Sequence, residues 1–375
     1  MAGNTGNRTR RAKQRSSSLP LRKRRDQQNS RGQRDLRIDN VRGFLIILVV
    51  VGHFLLPLQE SNTRLITGIL YVIYVFHMPC FVMLSGYYAK SVYKNGRFRW
   101  GKAVQMLWLY FVYEIIVFFT EGLAYGFESH FPNFFRESGA PWYLLSLTLW
   151  YLTIPLFHGF SGKRSSAAIV LAMFPAVAFL KYVIQVGSFL CFDRTVSFLP
   201  FFYLGYFSTQ NTLDRYLASR FKRPVDLAAV FLVLLVLVGA RDLFFKYNLV
   251  VYGADYNRWA PDLYSRAWLI HLIWCAMAVV ISLGLVGLML QRRMFLVTEL
   301  GRNTLQIYFL HRPIRDLLVW YGFFDRLDPF NRLHVLFLVA FSVGLTILLG
   351  IGYISEAFRR LRTVFDPLLE KHHAL

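Results

Sequence analysis

Ten apolar runs, most of them long enough to cross the hydrocarbon of a bilayer, succeed one another between residues 41 and 355 of this 375-residue chain. They occupy 41–59, 65–88, 103–122, 141–158, 166–186, 195–209, 225–243, 266–290, 303–321 and 333–355, and the sixth is the shortest. In lipid every backbone N–H and C=O needs a partner within the chain, so runs of this kind dictate helices. Hydrophobic residues make up 55% of the chain and its mean hydropathy is +0.38, values that exclude a soluble enzyme. The expected fold is an all-α polytopic membrane bundle of about ten transmembrane helices.

A formal charge of +22 raises nucleic acid as a partner, yet the basic residues alternate with the spans. With the segment before Arg42 in the cytoplasm, the connections Lys90 to Lys102, Lys163-Arg164, Arg215 to Arg223 and Arg292 to Arg302 share that side with the segment after Glu356. The opposite connections are acidic or mixed, as where Glu121, Glu128 and Glu137 face Arg136 alone. That alternation is the positive-inside pattern for a multi-pass protein with both termini cytoplasmic. The charge therefore reads as topology first and attraction to anionic lipid second, with no nucleic acid. Residues 1–37 read as a disordered basic tail without a secretory signal, 38–355 as the membrane domain and 356–375 as a second basic tail. Cys80, Cys191 and Cys275 are isolated, which indicates neither a disulfide frame nor a zinc site.

Within the first span, RGFLIILVVVGH sets Arg42 and His53 eleven residues apart. Eleven steps of about 100° come within about 20° of three full turns, so both lie on one face, about 16 Å apart along the axis. An imidazole at that depth is either a functional group or hydrogen-bonding glue between helices, the latter contributing about 0.6 kcal/mol. Opposite running directions place His77 of the second span about 15 Å, and His311 of the ninth about 12 Å, above the cytoplasmic end. Three histidines on three helices thus share a level. Pro79 frees a carbonyl one turn back, and Ser85-Gly86 permits a close helix approach. Asn303, Gln306, His311, Arg312, Arg315 and Asp316 require that the ninth span face protein or water, and Pro313 is expected to kink or end its regular turn. Glu114 is expected to pair with a cation or stay protonated, either as a buried structural carboxyl or as a catalytic one. His130, His158 and His271, near span ends or in loops, read as solvated or interfacial, and His372 and His373 as tail residues.

A neutral imidazole can act as general base toward a hydroxyl or accept an acyl group. Arg42 cannot reach His53 and suits anchoring of a phosphorylated donor, with Arg99 and Lys102 of the first basic loop as further candidates. No Gly-rich nucleotide loop, GxSxG elbow or His-Glu-x-x-His helix is present, which removes hydrolase and nucleotide-driven pump readings.

With these residues on the page, residues 38–355 resemble the acyltransferase-3 family of integral membrane acyltransferases, particularly its fucose 4-O-acetylase-like branch. IDNVRGFLIILVVVGH resembles the family's first helix, with Arg42 and His53 at its basic and histidine positions. YVFHMPCFVMLSGYY matches the second-helix signature at His77, PWYLLSLTLWYLTIP the fourth-helix pattern at Trp142 and Tyr143, and LGRNTLQIYFLHRPI the late pattern ending in His311. The family's Arg-x-x-Arg loop stands here as Arg99-Trp-Gly-Lys102, and lysine lacks the bidentate fork of arginine. The resemblance implies O-acylation at a bacterial cell membrane. Acetyl would pass from cytoplasmic acetyl-CoA to a hydroxyl of an envelope carbohydrate or glycolipid, such as a capsule or O-antigen sugar or a trehalose mycolate. It makes His53 the base or acyl-accepting group, His77 and His311 its support, and Arg42, Arg99 and Lys102 the donor-binding residues, with no metal and no permanently bound cofactor. Trp142 and Tyr143 stack on a sugar in one reading and sit in the interfacial aromatic belt in the favoured one. The alternative function is a glycan or glycolipid exporter, since polar intramembrane clusters also line transport paths.

Overall fold

The structure, a computed structural model, describes residues 35–61, 63–127, 131–135, 139–161, 164–183, 189–238, 256 and 261–364. The expectations for the amino-terminal tail, for His130, and for His372 and His373 lie outside the described residues. In chain order the helices are α1 (Leu36–Leu55), α2 (Arg64–Tyr88), α3 (Trp100–Tyr125), α4 (Trp142–Phe157), α5 (Ser165–Val183), α6 (Phe192–Phe207), α7 (Gln210–Leu217), α8 (Lys222–Val238), α9 (Ala267–Leu288), α10 (Phe295–Arg302), α11 (Thr304–Trp320), α12 (Arg332–Leu349) and α13 (Gly352–Arg362). Each of the ten apolar runs overlaps one of them along most of its described length, and the tenth also meets the start of α13. This is the architecture of a polytopic helical membrane protein. With their flanking turns, seven helices among the described residues are long and apolar enough to span a membrane. α6, α8 and α11 fall short at 16, 17 and 17 residues, and the last five residues of the seventh run lie outside the described part.

Local sequence accounts for the element ends. Thr63 caps α2 by accepting from the Ile66 N–H, and Asn331 caps α12 by accepting from the Leu333 N–H at 3.0 Å. Between α2 and α3, Asn95 and Gly96 both take positive φ (54° and 76°) and turn a two-residue hairpin, β1 (Tyr93–Lys94) onto β2 (Arg97–Phe98). One boundary differs from the sequence reading. The run 333–355 is not one helix: α12 stops at Leu349, Gly350 donates back to Thr346 and Ile347, and the amphipathic α13 begins at Gly352. α11, Thr304–Trp320, matches the run 303–321 and carries Pro313 inside it, where neighbouring helices enclose it.

Small residues decide which helices touch. α2 runs along α6, and each contributes a glycine where the backbones meet. A Cβ on Gly86 would strike the Phe202 carbonyl, and one on Gly205 the Met83 carbonyl. This is the approach expected of Ser85-Gly86. Gly43 of α1 and Gly301 of α10 form a second such pair, against the carbonyls of Val297 and Asp39. Asn40 secures the same junction by donating to the carbonyls of Leu290 and Arg292, both at 2.9 Å, while accepting from Thr298. As a result 13 of the 20 residues of α1 are buried, and His53 is held among protein groups. The outward faces of α5 and α8 expose Leu171, Leu227, Phe231 and Leu234, the side chains lipid would solvate.

Candidate active site

His53 and His311 meet. The Nε2 of His311 lies 3.1 Å from the Nδ1 of His53, with ring centroids 4.8 Å apart. The direction of this hydrogen bond follows from the next one along. The His311 Nδ1 is 3.1 Å from the Ile307 carbonyl oxygen, which can only accept, so Nδ1–H donates there. In a neutral ring Nε2 is then the acceptor, and the proton between the two histidines sits on the His53 Nδ1. The chain Ile307, His311, His53 therefore leaves the His53 Nε2 with an available lone pair. One turn of helix supplies the first link, because the side chain at 311 lies over the carbonyl at 307. His77 is oriented in the same way, with Nδ1–H donating to the Ile73 carbonyl at 2.7 Å.

Two cavities flank the pair. One, of about 230 Å³, is lined by Arg42, Ile46 and Val49 of α1, Ser85 and Tyr88 of α2, Tyr143 of α4, and Thr304 and Tyr308 of α11. The other, of about 260 Å³, is lined by Val49, His53 and Gln59 along α1 and its extension, by Tyr74, His77 and Met78, and by Trp142, Arg194, Tyr308 and Arg312. Residues 42, 46, 49 and 53 thus trace one stripe of α1 from the first cavity into the second, as the eleven-residue spacing requires. In the first cavity Arg42 donates to the Thr304 hydroxyl at 2.7 Å and lies 5.6 Å from the centre of the Tyr88 ring. The Tyr143 and Ser85 hydroxyls there are 2.5 Å apart. In the second, Arg312 reaches Asp316 through Nε, 3.1 Å from each carboxylate oxygen, and also pairs with Glu121, while Arg315 pairs with Asp316. Two arginines and two carboxylates compensate one another, which is how such charges are tolerated at this depth.

Of the six residues singled out from the sequence, the structure brings His53, His311 and His77 together and sets Arg42 in the adjoining cavity. Arg99 and Lys102 are apart from them. Arg99 is exposed at the foot of the hairpin, and Lys102 bonds to the Ser91 hydroxyl. Neither lines either cavity. His271, expected to be solvated or interfacial, is instead 1% exposed on α9, because its helix is packed against α2, α5 and α8. Trp142 and Tyr143 are not belt residues: Trp142 is 5% exposed, stacks on Phe198 and carries Arg194 over its ring, and Tyr143 points into the Arg42 cavity. Glu114 is buried beside Tyr110. Sequence reasoning missed Tyr308 and Glu121. Tyr308 was hidden as one aromatic among many, while Glu121 was assigned to an acidic loop although it falls within α3. Among the described residues no three His, Cys, Asp or Glu side chains cluster as metal ligands.

The fold and site define a class: a polytopic helical membrane protein that encloses an oriented histidine pair between two cavities. The chain belongs to the acyltransferase-3 family, whose acyltransferase domain matches residues 35–351. It is similar to the nodulation protein NolL of Sinorhizobium fredii (strain NBRC 101917 / NGR234), at 31% identity over 199 residues that cover 48% of this chain and 50% of that protein. The NolL protein of Mesorhizobium japonicum is 27% identical over 190 residues, covering 47% and 48%. The chain thus spans about half the length of the curated relatives it matches. No solved structure matches it.

Proposed function

We propose that this protein is an O-acyltransferase of the cell membrane that moves acetyl from cytoplasmic acetyl-CoA to a hydroxyl of an envelope carbohydrate or glycolipid. The observation that carries this reading is the hydrogen-bonded chain that leaves the His53 Nε2 free at the wall of one cavity, with Arg42 in the next. Arg42 holds a phosphate of the donor, and the acceptor hydroxyl enters from the His53 side. The His53 Nε2 takes the hydroxyl proton as the acceptor oxygen bonds to the thioester carbonyl carbon. The carbon–sulfur bond then breaks, and the departing thiolate recovers a proton from the imidazolium, giving ester and free thiol. His311 keeps the His53 ring in the reactive tautomer throughout. Family membership supports acyl transfer as the reaction class, and the free Nε2 supports His53 as its base.

The test is mass spectrometry of envelope polysaccharides and glycolipids from cells with the intact protein, without it, and with His53→Ala at matched abundance. Alkali-labile acetyl that requires both the protein and His53 is the expected result. Acetylation that persists without the protein, together with a glycan accumulating inside the cell, would replace the enzyme with an exporter.

A further inference from the structure

The two cavities share a wall, and among the described residues three line both: Val49, Met78 and Tyr308. The sequence order along each helix shows that the wall is crossed once. Along α1 and its extension the linings run Arg42, Ile46, Val49, then Val49, His53, Leu56. On α2, which runs the opposite way, they run Tyr74, His77, Met78, then Met78, Phe81, Ser85. On α11 they run Thr304, Leu305, Tyr308, then Tyr308, Arg312. The crossing point is the same on all three helices. The three side chains there are buried, at 3%, 8% and 8% exposed, and the wall they form is mostly apolar.

Its members differ in freedom. Tyr308 is tied by its hydroxyl to the Ala140 carbonyl and by ring contacts to Tyr113, Tyr143 and His311 at centroid distances of 5.7, 5.5 and 6.1 Å. Val49 is β-branched and held by its helix to one preferred rotamer. Met78 is unbranched, with three rotatable bonds, and can yield.

Resting on the reading of acyl transfer above, we propose that Val49 and Met78 set the length of the acyl group that this site accepts. A donor anchored at Arg42 can present its thioester to the His53 Nε2 only across this wall. The acyl carbons beyond the carbonyl must then lie against the Val49 and Met78 side chains. A methyl group fits beside a methionine that swings aside, whereas further methylenes meet Val49 and the fixed Tyr308 ring. The reaction is unchanged: the thioester carbon–sulfur bond breaks, the ester carbon–oxygen bond forms, and the hydroxyl proton passes by way of His53 to the thiolate. What the wall selects is the chain carried on that carbon.

The experiment offers equimolar acetyl-CoA and butyryl-CoA to membranes containing the full chain, with an envelope carbohydrate and glycolipid extract as acceptor. Ester-bound acetate and butyrate are then released by alkali and quantified. Wild-type protein should transfer acetyl in large excess. Met78→Ala should raise the butyrate-to-acetate ratio about tenfold or more, since each methylene accommodated or refused in an apolar pocket changes selectivity by about that factor. Met78→Phe should lower the ratio further, and Val49→Ala reads the same wall from the other side if Met78→Ala fails to accumulate. A ratio unchanged in both alanine variants, with acetyl transfer retained, would overturn the inference while leaving the acyltransferase intact. Wild-type membranes that esterify neither acid would overturn the underlying reading as well.

Discussion

His53 and His271 are both enclosed imidazoles on membrane-length helices, and their surroundings could hardly differ more. His53 lies where α1, α2 and α11 converge, with one ring nitrogen hydrogen-bonded to His311 and the ring on a cavity wall. His271 lies on α9, its ring centroid 5.9 Å from that of Trp274 and 6.5 Å from that of Tyr256. Its Nδ1 has no hydrogen-bond partner among the described residues, and it lines neither of the cavities beside His53. Burial of a histidine is therefore not what marks a reagent. A reagent needs one nitrogen oriented by a partner and the other facing a cavity, which His53 has and His271 lacks.

Breaking the His53 side of this contrast should have the largest effect. His53→Ala is expected to lower acetyl transfer by about 10²- to 10⁴-fold, measured as ester formation per molecule of protein in membranes, because it removes the proton acceptor. His311→Ala should cost less, about 10- to 100-fold, since the base survives but loses the group that fixes its tautomer. The distinguishing readout is the pH–rate profile: a tautomer-fixing role shifts its acidic limb, whereas a merely structural role lowers the whole profile at constant shape. Arg42→Ala should raise the KM for acetyl-CoA about tenfold or more with a smaller change in kcat, as expected for loss of a charged hydrogen bond to a donor phosphate. The two remaining basic candidates sharpen the comparison from the other direction. Because Arg99 and Lys102 lie outside the Arg42 cavity, Arg99→Ala should change that KM by no more than about threefold, within the range of a screened surface charge. His271→Gln should leave transfer within about twofold of wild type at matched abundance, the smallest effect of the set. A loss comparable to that of His53→Ala would show that burial, not orientation toward a cavity, is the relevant property.

Much of the site was legible before any coordinates. The eleven-residue spacing of Arg42 and His53 put them on one stripe of α1, and that stripe does line both cavities. Counting residues from span ends brought His53, His77 and His311 to a common depth, because rise per residue is nearly constant in a helix. The hairpin at Asn95-Gly96 follows from a dipeptide that favours two consecutive positive φ angles, in a loop that stood out in the sequence for its charge alone. What the sequence hid was lateral position. Trp142 looked like a belt residue because its depth suits a belt, but which way a helix faces depends on its neighbours. Here α6 covers the indole with Phe198. Glu121 looked like loop acid because the run ended near it, and only the packing of α3 on α11 shows it pairing with Arg312.

The sequence by itself determined the helical membrane class, the ten runs and the shared level of His53, His77 and His311. These follow from local quantities, namely apolar length, backbone hydrogen bonding within a helix and a fixed rise per residue. Only the tertiary structure decided that a ring on residue 311 would meet one on residue 53, 258 positions away, at 3.1 Å. A hydrogen bond requires both helices to be rotated and spaced to within a few tenths of an ångström. Such rotation and spacing depend on where small residues let backbones approach, as Gly43 of α1 and Gly301 of α10 do, a property of pairs of helices that no single helix encodes.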